Sequence, residues 1–247
     1  MKNKLHIFKT PEELANEFAN QLMSWVETHS GNKFHLAISG GKTPDLLFDI
    51  LAKKYADSVL WQKVHFWWVD ERMVSPEHQE SNFGTVQKLL FSRIDIPEKN
   101  IHRIKGENEP EYEAVSYSTQ IRENLTATNG WPVFDLIVLG MGDDGHTASI
   151  FPDQMELLVS EKVCEVANHP VSGQKRVTLT GQVINAAAKV IFLVVGQSKV
   201  DRLAEIFLHR KPAKLLPAAY IQPHGGQLEW YVDEAAAGQI GSELARR

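Results

Sequence analysis

An α/β fold, a single domain with a mostly parallel sheet flanked by helices, is predicted by three features of this sequence. Apolar runs of strand length recur at residues 34–38, 64–69, 136–139 and 190–195, and continuous apolarity over so few residues suits parallel strands covered on both faces. Segments with apolar residues at helical spacing lie between them. Each run stops at a polar cluster, beginning at Ser39, Asp70, Gly140 and Gly196. Ligands of parallel α/β sheets bind beyond the carboxyl ends of the strands, so four such tips predict one shared crevice.

Composition sets the outer limits. With 247 residues, 43% of them hydrophobic and 23% charged, the chain is in the range of soluble globular proteins, and no proline- or glycine-rich linker divides residues 1–247. A net charge of -5 gives no electrostatic case for nucleic acid or an anionic membrane. Any anionic ligand must therefore be held by a local cluster. The one cysteine, Cys164, has no partner for an internal disulfide, and the polar N-terminal stretch lacks the apolar core of a signal peptide. No apolar run is long enough to span a bilayer. A cytoplasmic location is the expectation.

The first helix is marked at Thr10, which can cap, followed by Pro11 in the first turn, Glu12 and Glu13 at the positive end, and Leu14, Phe18, Leu22 and Val26 at helical spacing. Gly31 is expected to end it. After the run at 34–38 comes Ser39-Gly40-Gly41-Lys42-Thr43-Pro44, then an amphipathic helix through Leu46, Leu47, Ile50 and Leu51. Thr43 as N-cap with Pro44 at the first helical position would leave the backbone N–H groups of the glycine turn facing an anion. Gly41-Lys42-Thr43 mimics the end of a Walker A loop, but Leu36 stands where that motif needs glycine, so a nucleotide P-loop is excluded and a simple phosphate site is expected.

The run at 64–69 leads into Asp70-Glu71-Arg72, charged groups at a strand tip that read either as site residues or as a solvated ion-pair cluster. Residues 73–84 read as a loop over the same end of the sheet. A helix over 111–125 offers Tyr112, Val115, Ile121 and Leu125 as core positions.

The centre of the chain is 134–152, FDLIVLGMGDDGHTASIFP. Its strand stops at Gly140, and a glycine-spaced loop then presents Asp143, Asp144 and His146 before Pro152. Gly140, Gly142 and Gly145 allow sharp turns and close approach to a ligand, and histidine titrates near neutral pH. The loop also matches G-x-G-x-x-G. A dinucleotide site is rejected, because Asp143 and Asp144 would set negative charge against a pyrophosphate and Pro152 leaves little room for the helix that motif requires.

Further on, residues 176–180 alternate polar and apolar as a half-buried strand should. The run at 190–195 ends in Gly196-Gln197-Ser198-Lys199, setting Lys199 at another tip. Pro212, Pro217 and Pro223 punctuate an irregular stretch before a last strand at 228–232 and an alanine-rich C-terminal helix.

A glycine loop at a helix start, with Arg176 and Lys199 available, suits a phosphate monoester: arginine chelates two oxygens and lysine adds a point charge. His146 could remove a proton from water or substrate, with Asp144 orienting its ring. Neither a metal site nor a covalent triad is called for: no histidine falls in H-E-x-x-H or a Cys/His cluster, and no serine sits in G-x-S-x-G.

The elements Ser39-Gly40-Gly41-Lys42-Thr43-Pro44, Val69-Asp70-Glu71-Arg72, Ser81-Asn82, the 140–152 stretch, 176–180 and Gly196-Gln197-Ser198-Lys199 occur in the order seen in 6-phosphogluconolactonases, which the chain resembles over nearly its whole length. The most specific element is Asp-Gly-His-Thr-Ala-Ser-x-Phe-Pro. The resemblance implies a Rossmann-like fold of the phosphosugar isomerase/lactonase type. It also implies hydrolysis of 6-phospho-D-glucono-1,5-lactone to 6-phosphogluconate without metal or cofactor, by a monomer or weak homodimer. By the same analogy His146, aided by Asp144, would activate water, while Gly40, Gly41, Lys42, Thr43, Arg176 and Lys199 would form the phosphate site. Lys42 departs from the serine frequent there, and either adds to that site or faces solvent. Asp70, Asn82 and Gly142 join the substrate-binding set. Arg72 would face the lactone or the developing carboxylate, with backbone N–H groups near Gly142 as alternative oxyanion donors.

Glucosamine-6-phosphate deaminases are similar in the glycine loop and the Asp-Gly-His element. They call for tyrosine where Arg72 stands and a glutamate within 149–152, and both departures favour the lactonase. A non-catalytic sugar-phosphate sensor is a third reading, disfavoured by the presence of His146 and by an N-terminal region that reads as one helix without a helix-turn-helix.

Overall fold

The computed structural model describes residues 4–208 and 215–244. In chain order they form β1 (Lys4–Phe8), α1 (Pro11–Thr28), β2 (Phe34–Ile38), α2 (Lys42–Lys54), β3 (Val64–Trp68), β4 (Asp70–Arg72), α3 (Asn82–Leu89), β5 (Ile101–His102), α4 (Pro110–Asn124), β6 (Ala127–Thr128) and β7 (Trp131–Pro132). There follow β8 (Leu136–Leu139), β9 (Cys164–Asn168), β10 (Lys175–Leu179), α5 (Gly181–Ala186), β11 (Lys189–Val194), α6 (Val200–Phe207), β12 (Gln227–Asp233) and α7 (Glu234–Leu244).

Seven strands make the main sheet in the order β1-β12-β11-β8-β2-β3-β5, every pair parallel. The α/β class is therefore as expected. The four strands β11, β8, β2 and β3 are consecutive neighbours, so the polar clusters at their carboxyl ends converge on one edge. The central strands β2, β3 and β8 are buried at every position, as continuous apolar runs require. Trp67, Trp68, Phe66, Phe192 and Trp230 fill the interior, and the rings of Phe192 and Trp230 stack at 3.9 Å between centroids.

A second, antiparallel sheet, β4-β10-β9, extends this edge. It springs directly from β3: the N–H of Val69 still bonds to Ile38 of β2, whereas its carbonyl accepts from Leu179 of β10. Thus Asp70, Glu71 and Arg72 belong to a strand. They do not form a solvated cluster, because Asp70 and Glu71 are buried. Residues 176–180 also differ from the half-buried expectation: Arg176 through Leu179 are all buried, because α4 covers β10 and β9 partners it.

Thr10 does cap α1, accepting from the N–H of Glu13 at 3.2 Å. The helix ends at Thr28, not Gly31, since His29 leaves it in an extended conformation that needs no glycine. The N-cap of α2 is Gly41, not Thr43. Its φ of +115° turns the chain into the helix early, a conformation that favours glycine. Pro44 falls at the third helical position, where its missing N–H still costs nothing. Residues 82–84 start α3 instead of continuing a loop, with Ser81 Oγ accepting from the N–H of Gly84. In α4 the buried face is Glu113, Ala114, Tyr117 and Ile121. Tyr112 and Val115 are 66% and 67% exposed, because the helix starts at Pro110 and faces the sheet through Tyr117, whose hydroxyl bonds the backbone of Trp68. Leu125, just beyond α4, is buried as expected. The edge strand β1 escaped detection because it is only half-buried. Pro212 lies outside the described residues, Pro217 opens a short 3-10 turn, and the last strand and the helix after it stand as expected.

Candidate active site

The strand tips frame a cleft of about 480 Å³ lined by, among others, Gly40, Gly41, Lys42, Thr43, Asp70, Arg72, Asn82, Gly142, His146, Arg176 and Lys199. All the expected site residues meet there except Asp144, which stands behind His146.

The loop after β8 is tied down at both ends. Thr147 Oγ1 donates to the carbonyl of Gly140 at 2.9 Å, and the N–H of Gly142 donates to the carbonyl of His146 at 2.9 Å. His146 Nδ1 lies 2.6 Å from Asp144 Oδ1, which also accepts the His146 backbone N–H at 3.0 Å. Burial works to raise the Asp144 pKa, but the hydrogen bonds and charge of His146 outweigh it and hold the carboxyl at about 2. An ionised carboxylate only accepts, so Nδ1 carries a proton, and in the neutral ring the lone pair is the one on Nε2. Residue 142 must be small: a Cβ there would stand 2.2 Å from His146 Nδ1 and 2.6 Å from Asp144 Oδ1. The His146 ring rests against Phe151 at 4.9 Å.

The antiparallel register of β4 and β10 sets Arg72 directly opposite Arg176, so both side chains leave the same face. Arg72 Nη1 donates to the carbonyl of Glu80 at 2.6 Å, and the Arg176 guanidinium lies over the Phe151 ring at 5.6 Å. The Nε of each arginine is buried without a hydrogen-bond partner, and neither arginine forms an ion pair among the described residues. Burial lowers the Arg176 pKa, with the Arg72 charge acting the same way against the pull of Asp70. Two like charges facing each other with unused donors are chemically suited to receive an anion.

The acids of β4 divide their work. Asp70 Oδ2 accepts from Ser149 Oγ at 2.7 Å, fixing the carboxylate at the cleft wall. Glu71 turns away and accepts the N–H groups of Arg72, Asn82 and Phe83 at 2.7–2.8 Å, so it caps α3. Its burial pushes the carboxyl up to about 7 against those three bonds. Asn82 Nδ2 donates to the carbonyl of Asp70 at 2.9 Å, and its side chain packs against Gly40. Asn82 therefore braces the glycine turn from behind. No side chain caps α2 at Gly41, which leaves the N-terminal N–H groups available to an anion. Lys42 is exposed at the rim. Lys199 reaches the cleft already paired with the Asp143 carboxylate.

Three contributors escaped the sequence reading: Ser149 as the anchor of Asp70, Glu71 as a cap, and Asp143 as the partner of Lys199. Ser149 and Asp70 are 79 residues apart, and no local pattern marks such a pair.

Residues 9–230 match the family model described as glucosamine-6-phosphate isomerases/6-phosphogluconolactonase. The chain is 45% identical over 232 residues to the 6-phosphogluconolactonase of Haemophilus influenzae, covering 93% of this chain and 96% of that one. A crystal structure of a protein named devB superposes with a TM-score of 0.90 at 42% identity, covering 97% of this chain and 100% of the other. The 6-phosphogluconolactonase of Thermotoga maritima gives a TM-score of 0.81 at 30% identity over 94% of this chain and all of that one.

Proposed function

The chain belongs to the family of glucosamine-6-phosphate isomerases and 6-phosphogluconolactonases, and from that premise we propose that it hydrolyses 6-phospho-D-glucono-1,5-lactone to 6-phosphogluconate, the second step of the oxidative pentose phosphate pathway. One observation carries the reading. His146, held at Nδ1 by Asp144, lines the same cleft as two guanidiniums whose Nε atoms have no protein partner.

In the proposed reaction the substrate phosphate lies against the start of α2, Arg176 and Lys199. His146 Nε2 takes a proton from water as the water oxygen attacks the lactone carbonyl carbon. Charge developing on the carbonyl oxygen is met by Arg72 or by backbone N–H groups near Gly142. Collapse of the tetrahedral intermediate breaks the bond to the ring oxygen, which takes the proton back from Nε2. General-base assistance of this kind is typically worth about 100- to 10,000-fold. The base is a side chain and the oxyanion donors are groups of the protein, so the proposed route uses neither metal nor cofactor. We place the activity in the cytoplasm, in a monomer or weak homodimer; among the described residues no helix is long and apolar enough to cross a membrane.

Two features favour this over sugar-phosphate deamination. Arg72 occupies the position where the deaminase resemblance calls for tyrosine, and Ser149, in the segment where it calls for a glutamate, is engaged with Asp70. Acid release from freshly generated 6-phosphogluconolactone, against a no-enzyme blank and with glucosamine 6-phosphate in parallel, tests the proposal. Acceleration confined to the lactone is the expected result. Ammonia release from the amino sugar would replace the proposal with deamination.

A further inference from the structure

We infer that Asp143 is a positioning residue: it holds the Lys199 ammonium ready for the phosphate and couples the segment carrying Lys199 to the loop carrying His146. The Asp143 carboxylate accepts from Ser198 Oγ at 2.9 Å and pairs with Lys199 Nζ, while its backbone carbonyl accepts from Arg202 Nε at 3.1 Å. These contacts span 55 to 59 residues of sequence and join the loop after β8 to the turn before α6 and, through Arg202, to α6 itself. The Asp143 side chain is 70% exposed and that of Lys199 only 18%, so the acid packs nothing away. Its consequence is to fix the lysine.

A lysine on a flexible four-carbon stem gives up much rotamer freedom when it binds an anion. One held in advance gives up less, and its ammonium keeps further N–H donors for phosphate oxygens. The carboxylate also holds Ser198, so the turn and its lysine are set together. Asp144, next in sequence, orients His146. Adjacent acids thus serve the two ends of one substrate.

This inference rests on the proposed phosphosugar reading and is tested on the whole protein by a double-mutant cycle. Calorimetry with 6-phosphogluconate is run on wild type, Asp143→Ala, Lys199→Met and the double variant. Asp143→Ala is expected to weaken binding about fivefold, the upper range for an exposed ion pair, and to add no loss in the Lys199→Met background. In turnover, KM rises by the same factor while kcat holds, because the Asp144–His146 pair is untouched. Unchanged binding, an equal loss in both backgrounds, or tighter binding from a competing acid removed would each overturn the inference. Wild type that binds 6-phosphogluconate without opening the lactone would remove the proposed reaction and still leave this cycle readable. Wild type that binds no 6-phosphogluconate overturns both.

Discussion

Arg72 and Arg176 stand directly opposite each other across the β4–β10 pair, each with a buried Nε that no protein group satisfies. Like charges at opposed strand positions destabilise a sheet, and buried donors without acceptors add to the cost. The pair is therefore a liability to the unliganded fold that an anion relieves. Arg176→Met keeps an apolar stem and removes the guanidinium that lies over Phe151, and with it the charge. Its expected signature is a split: melting temperature in the absence of ligand unchanged or raised, and 6-phosphogluconate binding weakened about 10- to 100-fold, the worth of a charge-assisted contact. Retained affinity with a lower melting temperature would mean that Arg176 serves the fold alone.

His146 and Asp144 make a different prediction, because they act on rate. His146→Ala is expected to lose most of the catalysed rate, about 100- to 10,000-fold, while binding of 6-phosphogluconate stays within a small factor. Asp144→Asn keeps an oxygen for Nδ1 but loses the charge, and about 10-fold in kcat is the corresponding expectation. Turnover of both variants at wild-type rates, followed by acid release, would take the pair out of the chemistry.

These residues also mark how far the sequence could be read. His146, Asp144 and the glycine turn are local in the chain, and the strand periodicity around them points to a crevice at the carboxyl ends, so both fold and site were legible. The β4-β10-β9 sheet was not. It pairs the three-residue β4 with β10 about a hundred residues further on, and β10, although its sequence alternates, is covered by α4 and buried from Arg176 to Leu179. For the same reason the sequence left Glu71 open between a site residue and a member of a solvated cluster, whereas it caps α3 from a position 1% exposed. Side chains satisfied by distant partners leave no period in the sequence.

Ser149 supplies a stability test of one such distant contact. Its hydroxyl is the donor to Asp70 Oδ2 at 2.7 Å, and both residues are buried. Ser149→Ala leaves a buried carboxylate oxygen without that donor, at an expected cost of about 1–3 kcal/mol. Urea unfolding measures it directly. A loss below about 0.5 kcal/mol, the scale of ordinary surface substitutions, would mean that water replaces the hydroxyl and that Asp70 is not held by the protein.

Acid sensitivity follows from the opposite end of the sheet. His35 of β2 and His65 of β3 are register partners, and His65 Nδ1 lies 2.9 Å from His102 Nε2 of β5. Burial is the main cause that depresses all three, to about 3 for His35 and about 4 for His65 and His102, with neighbouring histidines repelling His35 and His102, Lys33 repelling all three and Lys99 repelling His65. Folded, these rings stay neutral well below the ordinary histidine value near 6.5; unfolded, they take up protons there. Their stabilising contribution is thus complete above about pH 6.5 and is lost progressively as pH falls toward 4. Glu71 works the other way, since its raised pKa of about 7 favours the folded state as pH drops from 7 toward 4.5, but it is one proton against three. Urea midpoints measured from pH 7.5 to 4.5 are expected to fall with acidification, and His102→Gln, which removes one of the three titrating rings, is expected to flatten the slope. A midpoint that rises on acidification would show Glu71 outweighing the histidine ladder.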